Sequence, residues 1–151
     1  MIYIGSDHAG FNMKNEIKLY LTDLGYEFMD LGAYEYNPDD DYPDYALAVC
    51  KEILKNGGIG ILICGNGQGM ERVANKIPGI HAGLCWDEDT ASTARDHGDT
   101  NVLTFGGRIL SLNKAKKIVK IWLETPFSGE VRHRRRINKI KDIEAEYMKK
   151  I

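Results

Sequence analysis

Cysteine is scarce in this chain of 151 residues: Cys50, Cys64 and Cys85 make an odd number, with no Cys-x-x-Cys pair among them. That spacing suggests neither a disulfide framework nor a thiolate zinc site, and a reducing, cytoplasmic setting fits it best. Long apolar runs are missing too. The longest covers only Tyr45 to Cys50, and the opening Met1-Ile2-Tyr3-Ile4-Gly5-Ser6-Asp7 lacks both a basic start and an extended apolar centre. Neither a signal peptide nor a membrane span is expected. Charge of one sign is not in excess: 20 Lys and Arg stand against 22 Asp and Glu, a net of −2. Such a balance provides no whole-molecule attraction to nucleic acid or to acidic lipid.

What is present describes a folded, soluble unit. Hydrophobic residues at 43% and charged residues at 28% exclude a disordered or low-complexity chain. The length supports one buried core and is short for a pair of cofactor and substrate domains. One domain over 1–151 is expected, without internal repeat or linker.

Short runs rich in Ile, Val and aromatics recur at Ile2 to Ile4, Tyr26 to Met29, Ile59 to Ile63, Ile80 to Leu84 and Val102 to Phe105. They read as five strands. Between and after them, apolar residues at helical spacing predict helices over Phe11 to Leu24, Tyr45 to Leu54, Met70 to Lys76, Glu88 to Arg95, Leu112 to Leu123 and Arg135 to Tyr147. Strand alternating with helix implies right-handed crossovers and a parallel sheet covered on both faces: a three-layer α/β/α sandwich with a five-stranded, Rossmann-like sheet. The segment Glu35 to Asp44, with Asp39-Asp40-Asp41, reads as a solvated acidic loop rather than a metal site, since consecutive carboxylates point apart in an extended chain.

Open α/β sheets bind ligands at the carboxyl ends of their strands, and the residues there are polar. Gly5-Ser6-Asp7-His8-Ala9-Gly10 follows the first strand, and Cys64-Gly65-Asn66-Gly67-Gln68-Gly69 follows the third. Gly65, Gly67 and Gly69 let backbone amides approach an anion without an intervening Cβ, besides serving a tight strand-to-helix turn. The pattern is neither the dinucleotide fingerprint, because Met70 stands where its third glycine belongs, nor a Walker loop. Asp30, about twenty residues beyond Gly10, imitates a ribose-binding acid and keeps a nicotinamide cofactor as a minor rival. Cys64 ends a buried strand and faces a helix start, a setting for a thiolate base or nucleophile, against the competing reading of a core cysteine. His97, in Arg95-Asp96-His97-Gly98-Asp99, suits an exposed acid–base group or an ordinary surface histidine. His81, inside an apolar run, reads as packed or outward-facing. Asp7 and His8 pair a carboxylate with an imidazole at a strand end, where Asp7 equally suits an N-cap. Arg132 and Arg136 lie four apart on one helix face and can grip one anion, with Arg108 a third clamp. The short basic run, without interleaved aromatics, favours a small phosphate over nucleic acid.

Taken together, Gly5-Ser6-Asp7-His8-Ala9-Gly10-Phe11, Asp41-Tyr42-Pro43-Asp44-Tyr45-Ala46, Cys64-Gly65, Ala74-Asn75-Lys76, Asp99-Thr100-Asn101-Val102-Leu103, Phe105-Gly106-Gly107-Arg108 and Arg132-His133 with Arg136 resemble the ribose/galactose isomerase family. That family includes ribose-5-phosphate isomerase B and the galactose-6-phosphate isomerase subunits. The resemblance runs in order from Ile2 to Arg136. It implies an aldose–ketose isomerase without metal or cofactor, which opens a phosphorylated sugar ring and moves a proton between carbons 1 and 2 through a cis-enediolate. It further implies Cys64 as the base, the amides of Gly65 to Gly69 as the hole for the enediolate oxygen, and His97 as the ring-opening acid–base. Asp7 and His8 would bind substrate, and Arg108, Arg132 and Arg136 its phosphate. Active sites built between two subunits of a homodimer or tetramer are implied, the C-terminal helix reaching the partner. Asn66, Gln68, Glu71 and Gly98 depart from the residues usual at their places. Asn66 joins the catalytic set, Gln68 and Gly98 join the substrate-binding set, and Glu71 is a backup base whose alternative role is to complement the helix dipole. Ribose 5-phosphate is the leading substrate, allose or galactose 6-phosphate the alternative, and a non-catalytic phosphosugar-binding module the third reading.

Overall fold

The computed structural model describes residues 1–148; positions 149–151 lie outside the described residues. Five strands, β1 (Ile2–Ser6), β2 (Phe28–Asp30), β3 (Ile59–Cys64), β4 (Ala82–Leu84) and β5 (Val102–Gly106), form one sheet in the order β2-β1-β3-β5-β4. Every pairing is parallel. Six helices connect and cover them: α1 (Phe11–Asp23), α2 (Tyr42–Asn56), α3 (Gln68–Ala74), α4 (Glu88–Asp96), α5 (Leu112–Glu124) and α6 (Val131–Tyr147).

The layers follow from the two-residue period of a strand. Ile2 and Ile4, Ile61 and Ile63, Leu103 and Phe105 pack on one face with Ile17 and Leu21 of α1 and Ile118, Val119 and Trp122 of α5. The alternate residues Tyr3, Leu62, Cys64 and Val102 pack on the other with Ala46, Val49, Cys50 and Ile53 of α2 and Met70 and Ala74 of α3. The expected sandwich is therefore built, with both faces of the central strands dry.

Boundaries differ where local chemistry outweighs periodicity. α2 begins at Tyr42, three residues early, because Pro43 sits in its first turn, where the missing N–H costs nothing. α6 begins at Val131, ahead of the Arg135 start that the apolar spacing predicts, and the arginine run opens it, as the reading of Arg132 and Arg136 on one helix face expects. β4 is only Ala82–Leu84. His81 precedes it, half-buried, its amide donating to the Asn101 side chain. Of α6, only His133 is buried, while Val131, Ile140, Ile143 and Tyr147 are exposed. Among the described residues no helix is long and apolar enough to cross a membrane.

Candidate active site

The strand order reverses between β1 and β3, so the loops after those strands part and leave a crevice at the carboxyl edge. A cavity of about 580 Å³ occupies it, lined by Asp7 and His8 from the first loop, Cys64 to Asn66, Gln68 and Gly69 from the second, and Arg108 from the turn after β5.

On the β1 side, Gly10 is forced by packing: a Cβ there would lie 2.4 Å from the Ile63 carbonyl oxygen. The single 3-10 turn His8–Gly10 is capped by Asp7, whose side chain accepts from the Gly10 amide at 3.1 Å. Asp7 is buried, and desolvation raises its pKa above the usual value despite that amide. His8 is held by Asp40, whose Oδ1 lies 2.7 Å from His8 Nδ1 and 3.0 Å from the His8 amide nitrogen. This corrects the reading of the acidic loop as wholly solvated. Asp39 and Asp41 are exposed, but Asp40 turns inward and also accepts from the Tyr45 hydroxyl at 3.2 Å.

On the β3 side, Cys64 is buried, and its Sγ accepts from the Gly67 amide at 3.2 Å. Gly67 adopts a left-handed φ of 82°, and a Cβ there would come 2.8 Å from the Phe105 backbone. The Gln68 amide donates to Asn66 Oδ1 at 3.1 Å. Two amides of the expected oxyanion loop, at 67 and 68, are thus already engaged within the chain. The Gly107 and Arg108 amides donate to the carbonyls of Cys64 and Gly65 and stitch the β5 turn to this loop. By contrast, burial pushes the thiols of Cys50 and Cys85 up to about 12, which leaves them as inert core residues.

Several expected residues are elsewhere. Glu71 does not line this cavity; its Oε1 accepts from the Leu84 amide at 3.2 Å, so its carboxylate ties α3 to β4 in this structure. Asp30 is bound by Lys14 at 2.8 Å, Lys18 at 2.7 Å and the Gly32 amide at 2.9 Å. Burial alone would raise its pKa, yet these partners outweigh it and hold the carboxyl below its usual range. It is committed to the fold and is not a free ribose acceptor.

His97, Gly98 and Arg136 line a second cavity of about 470 Å³ that shares no residue with the first. The topology explains the split: Cys64 ends a strand, whereas His97 ends a crossover helix, which a parallel βαβ unit returns to the opposite edge of the sheet. His97 stacks on His133 with ring centroids 4.2 Å apart and lies 3.2 Å from Asp96. His133, to which the sequence reading gave no role, is buried; its Nε2 makes no hydrogen bond, with Glu130 Oε2 3.8 Å away, and desolvation, then His97 and Arg132, push its pKa down. Arg132 is exposed and pairs with Glu130 at 2.9 Å. Within one chain, then, Asp7, His8, Cys64, Asn66, Gln68 and Arg108 are gathered, and His97, Gly98, Arg132 and Arg136 are not. Tyr42 was also missed, although it lines the main cavity and closes on Gly69, where a Cβ would meet its ring at 2.6 Å.

Residues 2–140 match the sequence pattern of the Ribose/Galactose Isomerase family. The chain belongs to that family. Among ribose/galactose isomerases it is similar to ribose-5-phosphate isomerase B of Mycolicibacterium paratuberculosis, 40% identical over 147 residues that cover 97% of this chain and 90% of the relative. The fold superposes on the Clostridium thermocellum ribose-5-phosphate isomerase B with a TM-score of 0.92 at 43% identity, covering 97% of this chain and 98% of that one. It superposes on the Mycoplasma genitalium ribose-5-phosphate isomerase B with bound ribulose 5-phosphate with a TM-score of 0.92 at 41% identity, covering 96% of each chain.

Proposed function

We propose that this one-domain ribose/galactose isomerase interconverts ribose 5-phosphate and ribulose 5-phosphate. The observation that carries the reading is a buried cysteine facing a loop of backbone amides, in a cavity that also holds a histidine, a carboxylate and an arginine. Isomerisation needs a base at carbon 2, stabilisation of the enediolate oxygen where charge develops, and an anchor for the phosphate. In this reading Cys64, as thiolate, takes the proton from carbon 2 of the open aldose. The electron pair forms the carbon–carbon double bond of the cis-enediolate and leaves the negative charge on the carbon 1 oxygen, which the Gly65–Gly69 loop stabilises; the carbon 2 hydroxyl then passes its proton to that oxygen, and the thiol returns its proton to carbon 1 as the carbon 2 carbonyl forms, to give the ketose. Asn66 and Gln68 border the enediolate, and Asp7 and His8 bind sugar hydroxyls.

Ring opening and phosphate binding draw on a second chain. The separation of the His97 cavity from the Cys64 cavity, with exposed apolar residues along α6, supports a homodimer in which the partner lends His97, Arg132 and Arg136 to the site. His97 then moves a proton between the anomeric hydroxyl and the ring oxygen, and Arg108 with the two lent arginines holds the phosphate. A cytoplasmic setting, with reduced thiols, goes with a working Cys64. A hexose 6-phosphate such as allose or galactose 6-phosphate is the second reading, favoured by Gly98, which puts no side chain beside His97. A coupled assay of the purified protein on ribose 5-phosphate beside a panel of hexose 6-phosphates decides between them. A far higher specificity constant for a hexose overturns the pentose assignment.

A further inference from the structure

Three aspartates follow one another in the loop ahead of α2, and the middle one does something its neighbours do not. The Asp40 carboxyl is 6% exposed, although the loop around it is open to water. A carboxylate turned inward from such a loop loses hydration, so it must find partners to stay there. Asp40 finds three: the same oxygen takes the His8 main-chain amide at 3.0 Å and His8 Nδ1 at 2.7 Å, and the other oxygen accepts from Tyr45 at 3.2 Å. Tyr36, from the same loop, meets the His8 ring edge-on at 6.3 Å.

We propose that Asp40 is a positioning residue for His8, fixing the orientation and tautomer of its ring before substrate arrives. By gripping the main-chain N–H and Nδ1 together, the carboxylate removes the freedom of the ring to turn. A carboxylate on Nδ1 requires that nitrogen to carry the hydrogen, so the neutral ring has its lone pair on Nε2. Nε2 is then the acceptor available to a hydroxyl in the cavity that His8 lines. Asp40 is not itself a lining residue of that cavity; among the cavity's lining residues its hydrogen bonds go to His8, while its charge also bears on Asp7. A pre-oriented acceptor binds a hydroxyl without first losing rotamer entropy, which places the benefit in substrate affinity. The proposal rests on the reading of His8 as a substrate-binding residue of an isomerase site.

The test combines kinetics with nitrogen-15 NMR of the imidazole rings in the full-length protein, with His8 assigned by His8→Gln. Wild type is expected to show His8 with a protonated Nδ1 and an acceptor Nε2. Asp40→Ala should shift it to a mixture of tautomers and raise KM for ribose 5-phosphate by up to roughly tenfold, the factor carried by ordering one free side chain on binding, with kcat little changed. Asp40→Asn, which keeps an acceptor oxygen, should restore most of the tautomer and the affinity. In a His8→Gln background, Asp40→Ala should cost nothing further. Asp39→Ala removes the same charge from the same loop without touching His8 and should leave both readouts alone. Unchanged His8 signals in Asp40→Ala overturn the proposal, and so does an equal effect from Asp39→Ala. If the wild type turns over no sugar phosphate while Asp40→Ala still moves the His8 signals, the isomerase reading fails and the positioning role stands.

Discussion

The Gly67 amide nitrogen lies 3.2 Å from the Cys64 sulfur, and the left-handed φ of 82° at Gly67 is what aims it there. An amide donor strengthens its hold as the sulfur gains negative charge. Cys64→Ala is therefore expected to lower turnover by about a hundredfold or more, the loss that follows removal of a positioned general base. Glu71→Gln, whose amide oxygen can still accept from Leu84, should keep near-normal turnover. Near-normal turnover in Cys64→Ala together with its loss in Glu71→Gln would move the assignment to Glu71 and require α3 to release β4.

Arg136 and Cys64 line separate cavities of one chain. If two chains complete each site, Arg136→Ala and Cys64→Ala disable different halves, and a mixed dimer contains one site with both halves intact. Mixing the two inactive proteins should therefore restore activity as subunits exchange. Exchange shown independently, by mass spectrometry of differently labelled subunits, without recovery of activity rejects shared sites. Each lost arginine should weaken transition-state binding by roughly 1.5–3 kcal/mol, the worth of a charge-assisted hydrogen bond.

How much of this was legible in the sequence follows from the range of the forces involved. The alternation of Ile2, Tyr3 and Ile4, and the buried run Ile59 to Ile63, displayed a strand period that burial enforces, so the sheet and its layers could be read directly. The loops after β1 and β3 were legible as walls of one crevice because their place at strand ends follows from topology alone. Asp40 was not, because nothing local distinguishes it from Asp39 and Asp41; its inward turn depends on His8, 32 positions away. His133 was hidden by its neighbours: a histidine in an arginine run reads as one more charge, yet packing against His97 buries it. Glu71 looked available because an acid in a first helical turn is usually exposed, and only the tertiary approach of β4 occupies it.

Lys14 is fully buried, with Nζ 2.8 Å from Asp30 and bonded to the Ala33 carbonyl. Removing one partner of a buried pair leaves the other uncompensated, and Lys14→Met is expected to destabilise by about 3–5 kcal/mol, lessened by the second contact of Asp30 with Lys18. Urea unfolding of the two proteins measures the difference. Asp30, whose folded pKa lies below 3.8, contributes stability that is present above 3.8 and lost as pH falls through the lower folded value. Asp30→Asn should therefore flatten the acid limb of the stability profile.

Gly98 follows His97 at the end of α4, and a Cβ there would lie 2.9 Å from the Ala94 carbonyl oxygen. A side chain that hydrogen-bonds a sugar hydroxyl sharpens selection, because a substrate lacking that hydroxyl leaves the group unpaired. With glycine in place, selectivity between ribose 5-phosphate and allose 6-phosphate should be relaxed, with detectable turnover of both. Gly98→Asn should sharpen the ratio, and Gly98→Ala separates the steric shift of the α4 end from the added amide. An unchanged ratio in Gly98→Asn, with Gly98→Ala behaving as wild type, ends the relaxed-selectivity claim.

Asp7 should set stability against activity. Burial raises its folded pKa above the unfolded 3.8, so between those values the folded state holds more protons than the unfolded one and stability falls as pH rises. Above the folded pKa the cost of the buried charge is fully present, and below 3.8 it is absent. Asp7→Asn removes the charge yet keeps an oxygen that can accept from the Gly10 amide, so the cap of the 3-10 turn survives. The variant should therefore melt higher than wild type near pH 7 and converge on it near pH 3.5, while its kcat/KM for ribose 5-phosphate falls. Thermal unfolding at the two pH values checks the sign: a variant less stable than wild type at pH 7 would mean that the ionised carboxylate contributes more to the fold than its burial costs.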